Sequence, residues 1–427
     1  MVESQRGKKF GRLPSYSIHN ATLLSLAPLA AAAGAQAQIR ADDLGVIERG
    51  TLLVENGVIT AVGLHKECAV AVAHARSRFS RFEEHDAAGD VVMPGFVDAH
   101  THALFAGNRI SDFEDLAAGR KPSLGMAYTI EQTRAAGEAA LLEIGARHLT
   151  LMRDHGTTTA EVKSGYELNV QGELLLLSVM ARLGARPDLP RIVPTFCGAH
   201  ALAPEFDDYD AFVDELCDRI LPRVAEQGIA WFADAFCETG FFTPQQSERF
   251  LRACSATGLR LRIHADELTK SGGAQVAAKL RTMSVDHLNF VDKEGIEAIA
   301  AAGCVAVLCP GTVEYLALPT YAPARKLIEA GVPVALATDF NPGTCPCFSL
   351  QTVAHLARRR MGMTAHETIV AITLNAAYSL GLAGEIGTLT AGKRADIVVL
   401  GTSDYRELGY FFGTNLVTVG FIGAKSG

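Results

Sequence analysis

Between residues 95 and 337 the chain repeats one pattern, a short apolar run followed by a stretch of helical length. The runs are 95–99, 157–162, 191–196, 231–236, 260–263, 283–286, 304–308 and 333–337. Short apolar runs separated by helix-length segments read as the strands of βα units and therefore as a parallel sheet. Two intervening segments, 245–256 and 293–302, are predicted helices; in the second, Ile296, Ile299 and Ala300 share a face and acids open the segment. Eight such units predict an α/β fold, a closed (β/α)8 barrel with its site at the C-terminal ends of the strands.

The two ends of the chain follow the shorter period of strands. Runs at 51–54 and 58–62 flank Glu55-Asn56-Gly57, and Asn-Gly between two such runs predicts a hairpin. The stretch 18–26 suits a first strand, and near the other end Gly387 and Gly392-Lys393 lead into a strand at 395–400. Neither end holds enough strands for a sheet of its own, so they are expected to pair in one small β-rich domain. The expected division is 1–93 for the N-terminal part of that domain with a leader, 94–386 for the inserted barrel, and 387–427 for the C-terminal part. The basic residues near Met1, the apolar stretch 23–33 and the small residues after it also resemble a secretory signal. Pro28 interrupts that stretch and Glu3 sits in the leader, which favours the strand.

Composition narrows the class. At 427 residues, 48% hydrophobic and 20% charged, the chain can bury a large core and is not disordered. Its net charge of −8, with no dense Lys/Arg run beyond Lys8, Lys9 and Arg12, argues against nucleic acid as a partner. No apolar run reaches the roughly 18 residues of a membrane span. Nine Cys with no Cys-x-x-Cys pair fit reduced thiols and a cytoplasmic location. A homodimer is the base-rate expectation for assembly.

Chemistry concentrates where the barrel rule says to look. His100, His102, His200, His264 and His287 fall at strand ends, and Asp339 follows the eighth strand. In His100-Thr101-His102 the imidazoles lie two residues apart on extended chain and point the same way, so they can grip one ion. Alone, that pair is more simply a polar strand end. Barrel closure, however, brings His264 and Asp339 to it, and three imidazoles with one carboxylate suit Zn²⁺ or Fe²⁺ rather than Ca²⁺ or Mg²⁺. One ion per chain is expected. Glu267, three residues after His264, is a candidate proton shuttle, although by itself it reads as a helix N-terminal acid. His287 is a candidate to hold or deprotonate the attacking water. Asp266 and Asp286 carry no such expectation, and Cys309, Cys345 and Cys347 read as small buried residues.

The words Pro94-Gly95-Phe96-Val97-Asp98-Ala99-His100-Thr101-His102, Phe105-Ala106-Gly107-Asn108-Arg109, Glu161-Val162-Lys163-Ser164-Gly165-Tyr166, Gly198-Ala199-His200-Ala201, His264-Ala265-Asp266-Glu267 and Ala337-Thr338-Asp339-Phe340-Asn341-Pro342-Gly343-Thr344 keep one order over nearly the whole chain. In these words, and in the closing segment 387–400, it resembles the amidohydrolase superfamily of metal-dependent hydrolases, and within it the branch that opens the imidazolone ring in histidine degradation. The resemblance implies that His100, His102, His264 and Asp339 bind one Zn²⁺ or Fe²⁺/Fe³⁺ ion. It implies that Arg109, Tyr166, His200, Glu267, Asn341, Gly343 and Thr344 contact a small anionic substrate or its product, Arg109 and Tyr166 holding a carboxylate. Glu267, His287 and Asp339 would carry the catalytic proton transfers. Two departures stand out: Glu167 follows Tyr166 where the family has Gly, and the segment 119–133, which includes Tyr128, looks shortened in a substrate-covering loop. A cyclic deaminase, another cyclic amidase, or a catalytically silent barrel serving as a scaffold are the alternatives.

Overall fold

The computed structural model describes residues 9–11, 15–30 and 34–423, so the basic residues near Met1 and part of the leader lie outside the described residues. Eight parallel strand positions follow one another around a barrel: Phe96–Asp98, Thr157–Lys163, Arg191–Ala199, Phe232–Cys237, the split pair Arg260–Leu261 and His264–Ala265, then Ser284–His287, Val305–Leu308 and Val334–Leu336. Each expected apolar run is a strand here. Helices cover the outside, so most strand residues are buried on both faces, which is why the runs are continuous rather than alternating. The expected helices are present as Pro244–Ala256 and Lys293–Ala302. The fifth strand is interrupted at Arg262, whose fully buried guanidinium donates to the carbonyls of Ala99 at 2.6 Å and Ser379 at 3.1 Å.

The ring is completed at its C-terminal rim. There Asp339 N donates to His100 O and His102 N to Phe340 O, each at 3.0 Å, while Thr338 N and Oγ1 donate to the Asp98 carboxylate at 3.0 and 2.7 Å. The backbone bonds that join the first and eighth strands thus involve the residues singled out as metal ligands.

The chain ends pair as expected. In one sheet the order is Val58–Leu64, Val46–Glu55, Ser15–Leu24, Val91–Pro94, Ile397–Leu400, Val417–Phe421 and Lys9–Gly11, with Glu83–Asp86 beside Ser15–Leu24. Asn56 and Gly57 both have positive φ, 54° and 77°, as a two-residue hairpin turn requires. Leu23 and Leu24, taken from the stretch that resembles a signal, are fully buried in this sheet. The central strands Val91–Pro94 and Ile397–Leu400 alternate: Val92, Ile397 and Val399 face a small core with Tyr16, Leu52 and Phe421, whereas Val91, Met93, Val398 and Leu400 face the barrel core. No helix among the described residues is long and apolar enough to cross a membrane.

Gly95 makes the step from sheet to barrel. A Cβ there would stand 2.3 Å from Thr158 Oγ1 and 2.4 Å from its Cγ2. Gly95→Ala should therefore cost about 1–3 kcal/mol of stability in denaturant melts, as overpacked core sites do. Adding Thr158→Ala should recover part of that loss.

Candidate metal centre and active site

Three imidazoles converge on the rim. A ligand nitrogen of each of His100, His102 and His264 lies within 4.8 Å of the others, and all three side chains are buried. His264 Nε2 is 3.3 Å from His102 Nε2, and Asp339 Oδ1 lies 3.4 Å from His100 Nε2 and 3.6 Å from His102 Nε2. Burial and the neighbouring cations keep His100 and His102 neutral, well below the usual imidazole range.

The far nitrogens fix the tautomers. His100 Nδ1 bonds Asp286 Oδ2 at 2.6 Å and His264 Nδ1 bonds Asp234 Oδ1 at 2.9 Å. Each carboxylate accepts a hydrogen bond from the ring Nδ1–H, so each Nε2 presents a lone pair inward. His100 Nε2 is buried with no hydrogen-bond partner and faces a carboxylate oxygen, which is acceptor against acceptor. A cation resolves that arrangement, so the four residues fit one transition-metal ion. Asp286, to which the pattern of residues assigns no role, is therefore an anchor of the His100 imidazole.

On the same rim, Glu267, His287 and Asp339 bring one side-chain atom each within 4.8 Å of one another, with His287 Nε2 3.6 Å from Glu267 Oε2. Burial, then Asp339 and Glu238, push the Glu267 carboxyl well above the usual range, and burial lifts Asp339 to about 6. Thr312 Oγ1 donates to Asp339 Oδ2 at 2.5 Å. His287 and Asp339 both hold positive φ, 74° and 52°, a backbone strain that concentrates at working sites. Cys309 approaches His100 and His287, but burial raises its thiol and it stays a small buried residue.

The remaining sequence-derived residues form one wall. His200 stacks on His102 at 4.6 Å between ring centroids, and its Nδ1 bonds Gly165 O at 3.1 Å; Tyr166 lies 5.2 Å from His200. Arg109 lies against Gly343 so closely that a Cβ there would be 1.8 Å from its Nη1. Asn341 shapes the turn after Asp339, accepting from Gly343 N at 2.9 Å and Thr344 N at 2.7 Å.

Several residues that sequence reasoning passed over hold this wall in place. Asp112 accepts from Arg109 Nε at 2.6 Å and from Leu124 N and Gly125 N, tying the arginine to the 119–133 segment. Tyr128 of that segment sits on the helix Gly125–Asp154, its ring beside Gly107. Glu173 accepts from the backbone of Gly165, Glu167 and Leu168 around Tyr166, and Glu238 accepts from Glu267, Leu268 and Thr269. Asp266 does the same for Ser271, Gly272 and Ala274. Only the abundance of acids next to the motif words hinted at them. Glu167 is buried, with its carbonyl held by Arg134.

A barrel of this topology with a histidine-rich centre at its rim defines a metal-dependent hydrolase class, and the Amidohydrolase family profile matches residues 91–425. The chain belongs to the amidohydrolase family. Among its relatives, the imidazolonepropionase of Geobacillus kaustophilus is 43% identical over 384 residues, covering 87% of this chain and 88% of that protein. The imidazolonepropionase of Bacillus velezensis is 45% identical over 343 residues, 78% and 80% of the two chains. Solved structures share the fold: a zinc-bound adenosine deaminase from Xanthomonas campestris has a TM-score of 0.66 at 19% identity, covering 95% of this chain and 91% of that one. For E. coli guanine deaminase the TM-score is 0.67 at 16% identity, with 96% and 98% covered.

Elemental analysis should find one transition-metal ion per chain after metal-replete purification. His264→Ala should lose it. Glu173→Gln, which disturbs only the Tyr166 loop, should keep it.

Proposed function

We propose that this chain hydrolyses the ring amide of 4-imidazolone-5-propanoate, giving N-formimidoyl-L-glutamate in histidine degradation. The observation that carries the reading is Arg109 packed on Gly343 in the turn that follows Asp339, which supplies a cation for an anionic arm. Similarity to relatives named imidazolonepropionase over most of the chain supports it; the deaminase neighbours share fold alone.

His100, His102, His264 and Asp339 would hold one Zn²⁺ or Fe²⁺/Fe³⁺ ion, the choice their nitrogen-rich set favours. When bound, the ion supplies Lewis acidity and makes water nucleophilic near neutrality. Asp339 and His287 take the proton of the attacking water. Water oxygen adds to the ring carbonyl carbon, the amide carbon–nitrogen bond breaks, and Glu267, which holds its proton because it is buried beside Asp339 and Glu238, protonates the leaving nitrogen. His287 also faces the developing oxyanion. Arg109 and Tyr166 hold the propanoate carboxylate in a charge-assisted contact; Arg109 Nε is bound by Asp112, and its Nη atoms serve the substrate. His200 and the Asn341–Thr344 turn line the ring. All nine cysteines are free thiols, which fits work in a reducing cytoplasm.

Purified metal-loaded protein should consume imidazolone propanoate, followed by loss of ring absorbance; a silent scaffold gives no turnover. Glu267→Gln should keep its metal and lose turnover by about 10²–10⁴-fold. Arg109→Met should lower kcat/KM about ten- to a hundredfold, the loss of a charged hydrogen bond, with metal content unchanged. On a ring substrate without the propanoate, parent and Arg109→Met should be equally poor.

A further inference from the structure

Directly beneath the centre lies a buried ionic layer that the proposed chemistry does not use. Lys163, at the end of the second barrel strand, is fully buried. Its Nζ donates to Asp234 Oδ2 at 2.5 Å and to Glu161 Oε1 at 2.8 Å, and lies 3.9 Å from Asp286 Oδ2. Two of these carboxylates anchor a ligand imidazole and the third holds the backbone between two of them. Asp234 holds His264 Nδ1, and Asp286 holds His100 Nδ1. Glu161 Oε2 accepts from the N–H of Thr101, the residue between His100 and His102, at 3.1 Å. The backbone of Lys163 joins the same segment, its N–H donating to Thr101 O at 3.0 Å. Arg262, 3.3 Å from Asp286, is the second cation of the layer.

We infer that Lys163 is a positioning residue of the metal centre: one buried ammonium ties together the carboxylates that aim the His100 and His264 imidazoles and the one that holds the backbone between His100 and His102. This rests on the reading of His100, His102, His264 and Asp339 as metal ligands. Without the ammonium the carboxylates repel one another, lose their common partner and release the rings from the orientation that converges their Nε2 atoms. Charge alone predicts the opposite sign. Deleting a cation near a metal site strengthens cation binding through space, whereas loosened anchors weaken it, typically 10–100-fold.

The test is Zn²⁺ affinity of the metal-free protein, measured by competition with a chromophoric chelator. The parent should bind one Zn²⁺ per chain; a parent that binds none overturns the ligand reading itself. Given parent binding, Lys163→Met should bind Zn²⁺ at least tenfold more weakly. The charge-balanced Lys163→Met/Glu161→Gln, which removes one cation and one anion and serves where the single variant does not fold, should also bind at least tenfold more weakly. In the Co²⁺-loaded forms, the visible ligand-field bands should shift relative to the parent, because ring orientation has changed. Parent-like or tighter Zn²⁺ binding in either folded variant would overturn the inference. A purely structural lysine would lower the melting temperature of the metal-free protein and leave Zn²⁺ affinity alone.

Discussion

Everything at the rim depends on fully buried carboxylates. A charge moved into low dielectric is tolerated only when it is paired and hydrogen-bonded, and removing one partner of such a pair is far more damaging than never having had it. Glu161, Asp234 and Asp286 meet that condition through Lys163, Arg262, two imidazole N–H groups and a backbone N–H. The orientation of His100 and His264 is thereby set from below, by groups that do not face the reacting atoms. Replacing such a layer by apolar side chains could give a more stable barrel. It would leave the ring tautomers undirected.

The same device recurs in the loops. Asp112, Glu173, Glu238 and Asp266 are each buried and each gather two or more backbone N–H groups of a rim segment. Wrapping a loop around an anion gives its N–H groups strong acceptors, and it converts a flexible connection into a fixed one. In each case but Asp266 the segment so held carries, or is tied to, a residue of the proposed active site: Arg109 for Asp112, Tyr166 for Glu173, Glu267 for Glu238. The 119–133 segment is fixed in place, since Asp112 binds it and Arg109 with one carboxylate. The small β-sheet contributes differently. Its central strands Val91–Pro94 and Ile397–Leu400 are buried on both faces, so it closes one side of the barrel core while finishing a core of its own.

How much of this was legible beforehand differs by scale. The eight barrel strands were readable because strands buried on both faces are continuous apolar runs, and the hairpin because Asn56-Gly57 accepts positive φ at both positions. The strand break at Arg262 was not, since one arginine in an apolar run gives no sign that its guanidinium will be held by carbonyls of two distant segments. His100, His102, His264 and Asp339 were legible as a set only through the barrel rule, which turns positions at strand ends into neighbours. The structure brings them together across the seam that joins the first strand to the eighth.

The sequence by itself determined the period of each element, and hence the barrel, the paired termini and the residue types at the rim, because burial imposes a local pattern on the residues buried. Which carboxylate serves which group was decided only by the tertiary structure. Asp286 and Asp266 look alike along the chain, each beside a rim residue, yet one aims His100 and the other folds a loop. Lys163 reads as one charge in a strand until the fold surrounds it with Glu161, Asp234 and Asp286. Partners separated by tens to hundreds of residues leave no periodic trace, since a hydrogen bond depends on the distance and angle of two groups in space and not on their spacing in the chain.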